Sequence, residues 1–409
     1  MYHKKTEDND MKKILQIVCL ALLCLALVFI TKARLDLALT IVPESSQSAA
    51  AAPEGDSLPV SAPEATPEAT PEPTPEPEPE YFTISCIGDL TLNSNQKYPL
   101  HYSSKMNGDY AYPFANTVQY FEDDEITLSN LECSFSDKKL TYDYTATYFY
   151  FLCPSDWINI LPQGGVDFVT MANNHTRDFY DAGVTDTKAA LESIGMPYGE
   201  NEQAQIITTK SGIKMGIYTA GDLYSVGEAE KSNPSLEKAV AGVRQLKEQG
   251  ADYIVCMFHW GSELKYRPKE SQVELARACV DAGANLVYGS HSHCLQPMEE
   301  YNGGIILYSM GNWSFGGSSG PTDPDTAIFQ LTIRRDPDGS IHNDSYEIIP
   351  CCVSSDLAAA AAKKDMYNNY QPTPYEPGTE AYERAMSKIT GTYEGKDLST
   401  DYSSFFASE

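Results

Sequence analysis

Carboxylate, amide and imidazole side chains occur in short clusters along this chain, and each cluster follows a run of apolar residues. The clusters contain Asp89, Asn130 with Glu132, Asn173-Asn174-His175, His259, and His291 with His293. Four of the seven histidines of the chain lie in them. Oxygen and imidazole ligands together suit borderline divalent metals such as manganese, zinc or iron. The sequence therefore predicts a metal-type or phosphate-type site, provided that the fold brings the clusters together.

The apolar runs before the clusters have the length and composition of buried strands. Strands are predicted at 81–87, 125–131, 166–171, 214–220, 251–260, 285–289, 304–310 and 327–334. Helices are predicted between them at 183–194, 235–249 and 271–282. Such alternation favours an α/β sheet with helices on its faces. Ligands of open α/β sheets gather at the carboxyl ends of strands, so we expect the clusters to share one rim.

Two of the clusters have unusual spacing. A single asparagine after a strand is an ordinary turn residue, but two asparagines followed at once by His175 exceed what a turn requires. His291 and His293 are two residues apart, and on an extended backbone both side chains point to the same side. We therefore expect these two histidines to share a centre.

Structural interpretations remain open at this point. Each cluster taken singly fits a turn, a helix cap or a buried core histidine, and in that case the protein is an anchored α/β domain without a site. Asp178 is either a helix N-cap or a partner that orients His175. Glu263 either supports the site or is solvated, and Cys294 is expected to be a loop thiol.

The first 80 residues predict attachment to a membrane. Residues 14–30 form an uncharged apolar run after four lysines, which is near the lower length limit of about 17 residues for a membrane span. We expect an uncleaved single-pass anchor in the cell membrane, with a cleaved secretory signal as the alternative. Residues 32–80 are rich in proline and glutamate and predict an extended, disordered spacer. The main domain is thus expected at 81–355, outside the cell, and residues 356–409 are expected to form a polar C-terminal tail.

Composition excludes some functions. The chain of 409 residues has a formal net charge of −28, and phosphate backbones are bound by clustered lysine and arginine, so we expect no nucleic-acid partner. An anionic ligand would need a local cation to overcome the repulsion. The ten cysteines show no paired framework, so free buried thiols are expected.

At this point the sequence resembles the capsule synthesis protein CapA family, whose better-known members serve poly-γ-glutamate capsules. The resemblance covers about 83–354. Its signature segments are C-I-G-D (86–89), N-L-E (130–132), F-L-C-P (151–154), M-A-N-N-H-T-R-D (171–178), H-W-G-S-E (259–263), G-S-H-S-H-C-L-Q-P (289–297) and Y-S-M-G-N-W (308–313). The resemblance implies a calcineurin-like metallophosphoesterase fold, a β-sandwich flanked by helices.

The resemblance also implies roles for individual residues. Asp89 and His293 match ligands of a first metal, whereas Asn174, His259 and His291 match ligands of a second. Glu132 lies where a carboxylate that bridges the two metals is expected. His175 matches the catalytic histidine that protonates a leaving oxygen.

The match is incomplete in a way that bears on activity. Metallophosphoesterases carry Asp-x-His after the first strand, whereas this chain has Asp89-Leu90-Thr91, so one imidazole is missing. One or two metal ions are therefore expected. Two interpretations stay open: a capsule or surface-polymer protein that binds the polymer and synthase membrane subunits, and an active metal-dependent phosphoesterase.

Overall fold

The computed structural model describes residues 77–94, 102–141, 149–221, 234–364 and 366–398. The predicted anchor at 14–30 and nearly all of the predicted spacer lie outside these residues. Within the described part of the chain, no helix combines the length and the apolar character needed to cross a membrane.

The larger of the two main sheets has seven strands. In chain order they are β1 (Glu80–Leu90), β2 (Ile126–Leu131), β5 (Phe168–Thr170), β6 (Tyr198–Gly199), β13 (Asp325–Arg335), β14 (Ile341–Cys352) and β15 (Thr373–Pro374). Their order across the sheet is β15-β14-β13-β1-β2-β5-β6. Strands β1, β2, β5 and β6 run parallel, so their carboxyl ends lie on the same edge.

The second main sheet has six strands and likewise contains four adjacent parallel strands. It contains β7 (Gln203–Thr208), β8 (Lys214–Gly221), β9 (Tyr253–His259), β10 (Leu286–Ser290), β11 (Met298–Tyr301) and β12 (Gly304–Leu307), in the order β11-β12-β10-β9-β8-β7. Its four central strands are parallel. A separate two-stranded sheet pairs β3 (Ser134–Phe135) with β4 (Leu152–Cys153).

Seven α-helices connect or flank the sheets in the described residues. They are α1 (Tyr102–Met106), α2 (Ile160–Gln163), α3 (Tyr180–Ser193), α4 (Leu236–Glu248), α5 (Glu270–Ala282), α6 (Leu357–Ala361) and α7 (Glu380–Ile389). Helix α4 begins after Ser235, whose hydroxyl accepts a hydrogen bond from the Lys238 amide and so caps the helix.

The two main sheets pack face to face. One buried cluster takes alternate residues from both sheets, such as Ile84 and Leu128 from the first and Val255 and Tyr288 from the second. A second cluster covers the opposite side of the first sheet, and a third lies between the second sheet and helices α4 and α5. The predicted α/β architecture is therefore confirmed in the form of a two-sheet sandwich flanked by helices.

Residues after 356 are more integrated than a polar tail. Tyr370, Tyr375, Ala385 and Ile389 are buried; Tyr370 belongs to the cluster on the opposite side of the first sheet, and the other three belong to the cluster between the sheets. Helix α7 contacts β13 and β14. The sequence did not anticipate this packing, because the polar residues that dominate the segment conceal a few apolar anchors.

All eight cysteines in the described part of the chain are free and buried, as predicted. Cys19 and Cys24 lie outside it.

Candidate metal centre

The predicted site residues all lie where parallel strands end. Asp89 is the penultimate residue of β1, Glu132 follows β2, and His259 is the last residue of β9. Asn174 and His175 follow β5, and His291 and His293 follow β10. The two sheets face each other, so strand ends from both sheets deliver these groups to one place.

One cluster of ligand atoms joins Glu132, His259 and His291. Each offers one atom within 4.8 Å of the others. Glu132 Oε1 lies 3.5 Å from His259 Nε2, and the amide oxygen of Asn174 lies 2.8 Å from the same nitrogen. Asn174 therefore adds a fourth oxygen or nitrogen donor at this position.

A second cluster joins Asp89, Glu132 and His293, again within 4.8 Å. Asp89 Oδ2 lies 3.7 Å from His293 Nδ1. Glu132 belongs to both clusters, so its carboxylate stands between two candidate cation positions. The interpretation in which the polar strand ends only form turns predicts no such convergence.

Glu132 is the clearest sign that a cation belongs here. Its side chain is fully buried, and neither carboxylate oxygen has a hydrogen-bond partner. Burial, reinforced by the charge of Asp89, raises the pKa of Glu132 well above its ordinary value. An unpartnered buried carboxylate is costly unless a cation neutralises it. The residues therefore fit a divalent metal.

The nearby imidazoles are suited to act as neutral ligands. Burial lowers the pKa of His259 well below its ordinary value, with further lowering from the neighbouring histidines. Burial also lowers the pKa of His291 to about 4, and its Nδ1 atom has no hydrogen-bond partner. A neutral imidazole has a free lone pair, which metal coordination requires.

His175 differs from these ligands. Its Nδ1 lies 2.8 Å from Asp178 Oδ2, and its Nε2 lies 3.9 Å from Glu132 Oε1. Burial acts to lower the pKa of His175, but the charge and hydrogen bond of Asp178 raise it above its ordinary value. Asp178 thus orients the ring rather than capping α3, where Phe179 is the N-cap. His175 is placed to hold a proton at the edge of the centre.

Amide and hydroxyl side chains fix the ligand orientations. The Asn130 amide donates to Asp89 Oδ1 at 2.8 Å and lies 3.2 Å from His259 Nδ1. Asn173 donates to Asn130 Oδ1 at 3.0 Å, and its own oxygen accepts from the His175 amide at 3.1 Å. The second asparagine of the Asn-Asn-His segment is therefore a candidate ligand, and the first one supports the turn.

The backbone of the His-Ser-His segment is not extended. His291 has a φ of 91° and His293 a φ of 54°, both in the left-handed region that side chains rarely adopt. The prediction of an extended segment was wrong, although the rings still come within 6.1 Å of each other between centroids. The strained turn directs His291 toward Glu132 and His293 toward Asp89.

Sequence reasoning did not assign three supporting residues. Ser290 Oγ lies 2.9 Å from His259 Nδ1, Asn312 Oδ1 lies 2.9 Å from His293 Nδ1, and Asn130 links two ligands. Such partners fix the tautomer and orientation of ligating imidazoles. Asn312 lies in a signature segment and Asn130 lies two residues before Glu132, so their positions in the sequence indicated that they are near the site. No spacing rule predicts which ligands they contact.

Fold and site together define an α/β two-sheet protein with a candidate divalent-metal centre at the strand ends. The bacterial capsule synthesis protein PGA_cap family matches residues 83–316, which is more than half of the chain, and the chain belongs to this family. The matched range contains every residue of the candidate centre.

Curated relatives agree with this family. The capsule biosynthesis protein CapA of Bacillus anthracis is 27% identical over 272 residues, covering 62% of this chain and 64% of the relative. The PGA biosynthesis protein CapA of Bacillus subtilis (strain 168) is 30% identical over 220 residues, covering 51% of this chain and 56% of the relative. The chain thus spans somewhat more than half the length of these relatives.

Solved structures are more distant. The NAD nucleotidase of Haemophilus influenzae aligns with a TM-score of 0.38 at 13% identity, over 81% of this chain and 66% of that one. A putative 5'-nucleotidase of Staphylococcus aureus aligns with a TM-score of 0.39 at 14% identity, over 66% and 54%. Similarity at this level does not bear on function.

Proposed function

We propose that this protein acts in the biosynthesis or export of a capsule or surface polymer of the poly-γ-glutamate type, using a divalent metal at the Glu132 centre. Family membership supports a role in this process, since the family and the two relatives are named for capsule synthesis or PGA biosynthesis. The observation that carries the chemistry is the unpartnered, buried Glu132 carboxylate between two ligand clusters. A cation there would attract an anionic group that the acidic chain would otherwise repel.

The donor set favours manganese, zinc or iron over calcium or magnesium, because it mixes imidazole with carboxylate and amide oxygen. Glu132, Asn174, His259 and His291 would hold one ion. Asp89, Glu132 and His293 would hold the other, so one or two ions are expected.

A second candidate function is phosphoester hydrolysis, and the pairing of His175 with Asp178 favours it specifically. A divalent ion held by Glu132 and its neighbouring ligands would supply a Lewis acid that polarises a phosphoryl oxygen and lowers the pKa of a water. His175, held in place by Asp178, would then donate its Nε2 proton to the leaving oxygen. Asp178 would stabilise the protonated ring before that transfer.

We further propose that residues 14–30 anchor the chain in the cell membrane as a single pass, with the main domain outside. The partners would then be the capsule polymer and the membrane subunits of its synthase. Protease added to intact cells should remove the domain at 81–398. Protection of that domain until the cells are lysed would contradict this arrangement.

The test uses the full chain, purified in detergent because of the apolar run at 14–30. Metal content is measured by elemental analysis after incubation with manganese, zinc or iron, for the wild type, His291→Ala and Asn174→Ala. The matched control is His342→Ala, which changes an exposed histidine near the start of β14 that belongs to none of the ligand clusters. Metal in the wild type and control, and its loss in the other two variants, would support the centre; an absence of metal from every sample would overturn it.

Catalysis is tested on the same samples. Hydrolysis of bis(p-nitrophenyl) phosphate by the metal-loaded wild type, reduced about 10²–10⁴-fold in His175→Gln with metal retained, would establish the phosphoesterase. Metal binding without hydrolysis would reject this second candidate. Metal-dependent retention of poly-γ-glutamate by the protein would then support the polymer-handling role.

A further inference from the structure

Glu263 lies beside the candidate metal centre, in the loop between β9 and α5. One of its carboxylate oxygens is within 4.8 Å of ring nitrogens of both His291 and His293. The side chain is half-buried, whereas Asp89 and Glu132 are fully buried. Glu263 therefore stands on the solvent-facing side of the histidine pair.

The loop that carries Glu263 is fastened directly to the His-Ser-His segment. The Leu264 amide donates to the Ser292 carbonyl at 2.7 Å, and the Trp260 amide lies 3.4 Å from the Ser290 carbonyl. Glu263 thus lies between two residues whose amides are bonded to the segment that presents both histidines. Its distance from them is set by backbone contacts rather than by a flexible side chain alone.

The far side of the same loop is held by the C-terminal segment. The Leu398 amide donates to the Leu264 carbonyl at 3.1 Å, and the Tyr266 amide donates to Asp397 Oδ1 at 3.0 Å. Tyr266 also packs edge-on against Tyr393 at 4.9 Å between ring centroids. A loop anchored on both sides is suited to present a ligand with little loss of conformational entropy.

The two candidate cation positions are unequal without Glu263. Glu132, His259, His291 and Asn174 give one position four donors, whereas Asp89, Glu132 and His293 give the other three. The Thr91 hydroxyl, two residues after Asp89, is engaged in other contacts, because it accepts from the Gly316 amide at 2.6 Å and donates to the Asn93 carbonyl. Divalent transition metals in proteins take four ligands or more.

We propose that Glu263 is a further metal ligand, which adds a carboxylate oxygen to the three-donor position that contains His293 and, next to His291, closes the centre on its solvent side. This inference rests on the proposed metal centre. It makes Glu263 a group that the loop between β9 and α5 brings to the metal, in a chain whose Asp89-Leu90-Thr91 segment lacks the histidine of an Asp-x-His motif.

The experiment is a manganese titration of the metal-free full chain, with free Mn²⁺ followed by electron paramagnetic resonance. Wild type, Glu263→Gln, Glu263→Asp and the control Glu274→Gln are compared. Glu274 is exposed on α5, so its change removes the same charge without touching the centre. Thermal unfolding of each metal-free variant verifies that it is folded.

We expect Glu263→Gln to lose one equivalent of Mn²⁺ or to bind it at least about tenfold more weakly, as ligand-shell changes do. Glu263→Asp should recover part of the loss, and Glu274→Gln should match the wild type. Wild-type binding that is unchanged in Glu263→Gln would overturn this inference alone. A wild type that binds no Mn²⁺ would overturn the metal centre and this inference together.

Discussion

Two regions of this protein bury acidic side chains, and they neutralise them differently. In the region that we call the C-terminal clamp, Asp323 and Asp325 pair with Lys388 at 2.6 and 2.7 Å, and Arg384 binds Asp325 through two nitrogens. At the candidate metal centre, Asp89 and Glu132 are also fully buried. Among the described residues, no lysine or arginine forms an ion pair with either of them.

The difference separates an ion-pair cluster that is complete by itself from a candidate metal site. The clamp carries its own cations, so it is complete as soon as α7 docks on β13 and β14. The centre has carboxylates, imidazoles and an amide but no lysine or arginine, so its buried carboxylates are neutralised by protons or by a cation from solution. Buried acids therefore indicate a metal site here only where the chain fails to supply their counter-charges.

The largest expected effect comes from removing the counter-charge of the clamp. Lys388→Met leaves two buried carboxylates without their amine, and we expect a loss of about 3–5 kcal/mol in the free energy of unfolding. Urea denaturation measures it. Lys396→Met, an exposed lysine in the same segment, should change it by less than about 0.5 kcal/mol. Similar effects of the two substitutions would contradict the claim that Lys388 neutralises the buried carboxylates of the clamp.

Adding a divalent cation should stabilise the protein through the candidate centre. With Mn²⁺ at a hundred times its dissociation constant, we expect a gain of about 2.7 kcal/mol. Thermal unfolding with and without Mn²⁺ measures the gain. His291→Ala should abolish it, whereas Lys388→Met should retain it, since the clamp supplies no ligand. A gain that survives in His291→Ala would place the metal elsewhere.

A smaller effect is expected from a residue that only orients a ligand. Asn312→Ala removes the oxygen 2.9 Å from His293 Nδ1, and we expect Mn²⁺ affinity to fall about 10–100-fold. The Mn²⁺ titration measures this, with Asn302→Ala on the exposed β11–β12 turn as the control. Unchanged affinity would show that His293 is held by other contacts or does not bind the metal.

The two regions should also respond to pH with opposite sign. Burial, with the charge of Asp89, raises the pKa of Glu132 in the metal-free protein above 4.5, so the folded state keeps a proton that the unfolded chain releases. The stability of the metal-free folded protein therefore falls as the pH rises above 4.5. In EDTA, the free energy of unfolding of Glu132→Gln should increase relative to that of the wild type as the pH rises. A pKa that is one unit higher corresponds to a difference of about 1.4 kcal/mol.

The clamp provides the internal comparison for this experiment. Burial acts to raise the pKa of Asp325, but Arg384 and Lys388 hold it below the ordinary value of 3.8. The contribution of ionised Asp325 to the free energy of unfolding is therefore present above pH 3.8 and is lost as the pH falls through the lower pKa of the folded state. Denaturation of the wild type and Asp325→Asn from pH 3 to 7 measures it. Equal pH slopes for Asp325→Asn and Glu132→Gln would contradict the distinction between the regions.

Much of the fold could be predicted because apolar periodicity is local. The strand predicted at 214–220 is observed at Lys214–Gly221, and the helix predicted at 271–282 is observed at Glu270–Ala282. The C-terminal segment was less predictable, because α7 is held by ion pairs between residues about 60 positions apart. No local pattern reveals such pairing.

The sequence by itself determined the chemistry of the centre: which strands end in carboxylate, amide and imidazole groups, and that those groups favour a divalent metal. Side-chain types and strand ends are local properties, so they can be recognised along the chain. Only the tertiary structure decided that the buried Glu132 carboxylate has no hydrogen-bond partner, that the backbone of His291 and His293 is left-handed, and that Glu263 lies near both histidines. These arrangements depend on two sheets that pack face to face. The distances between side chains of different sheets are set by that packing and not by any single segment of the sequence.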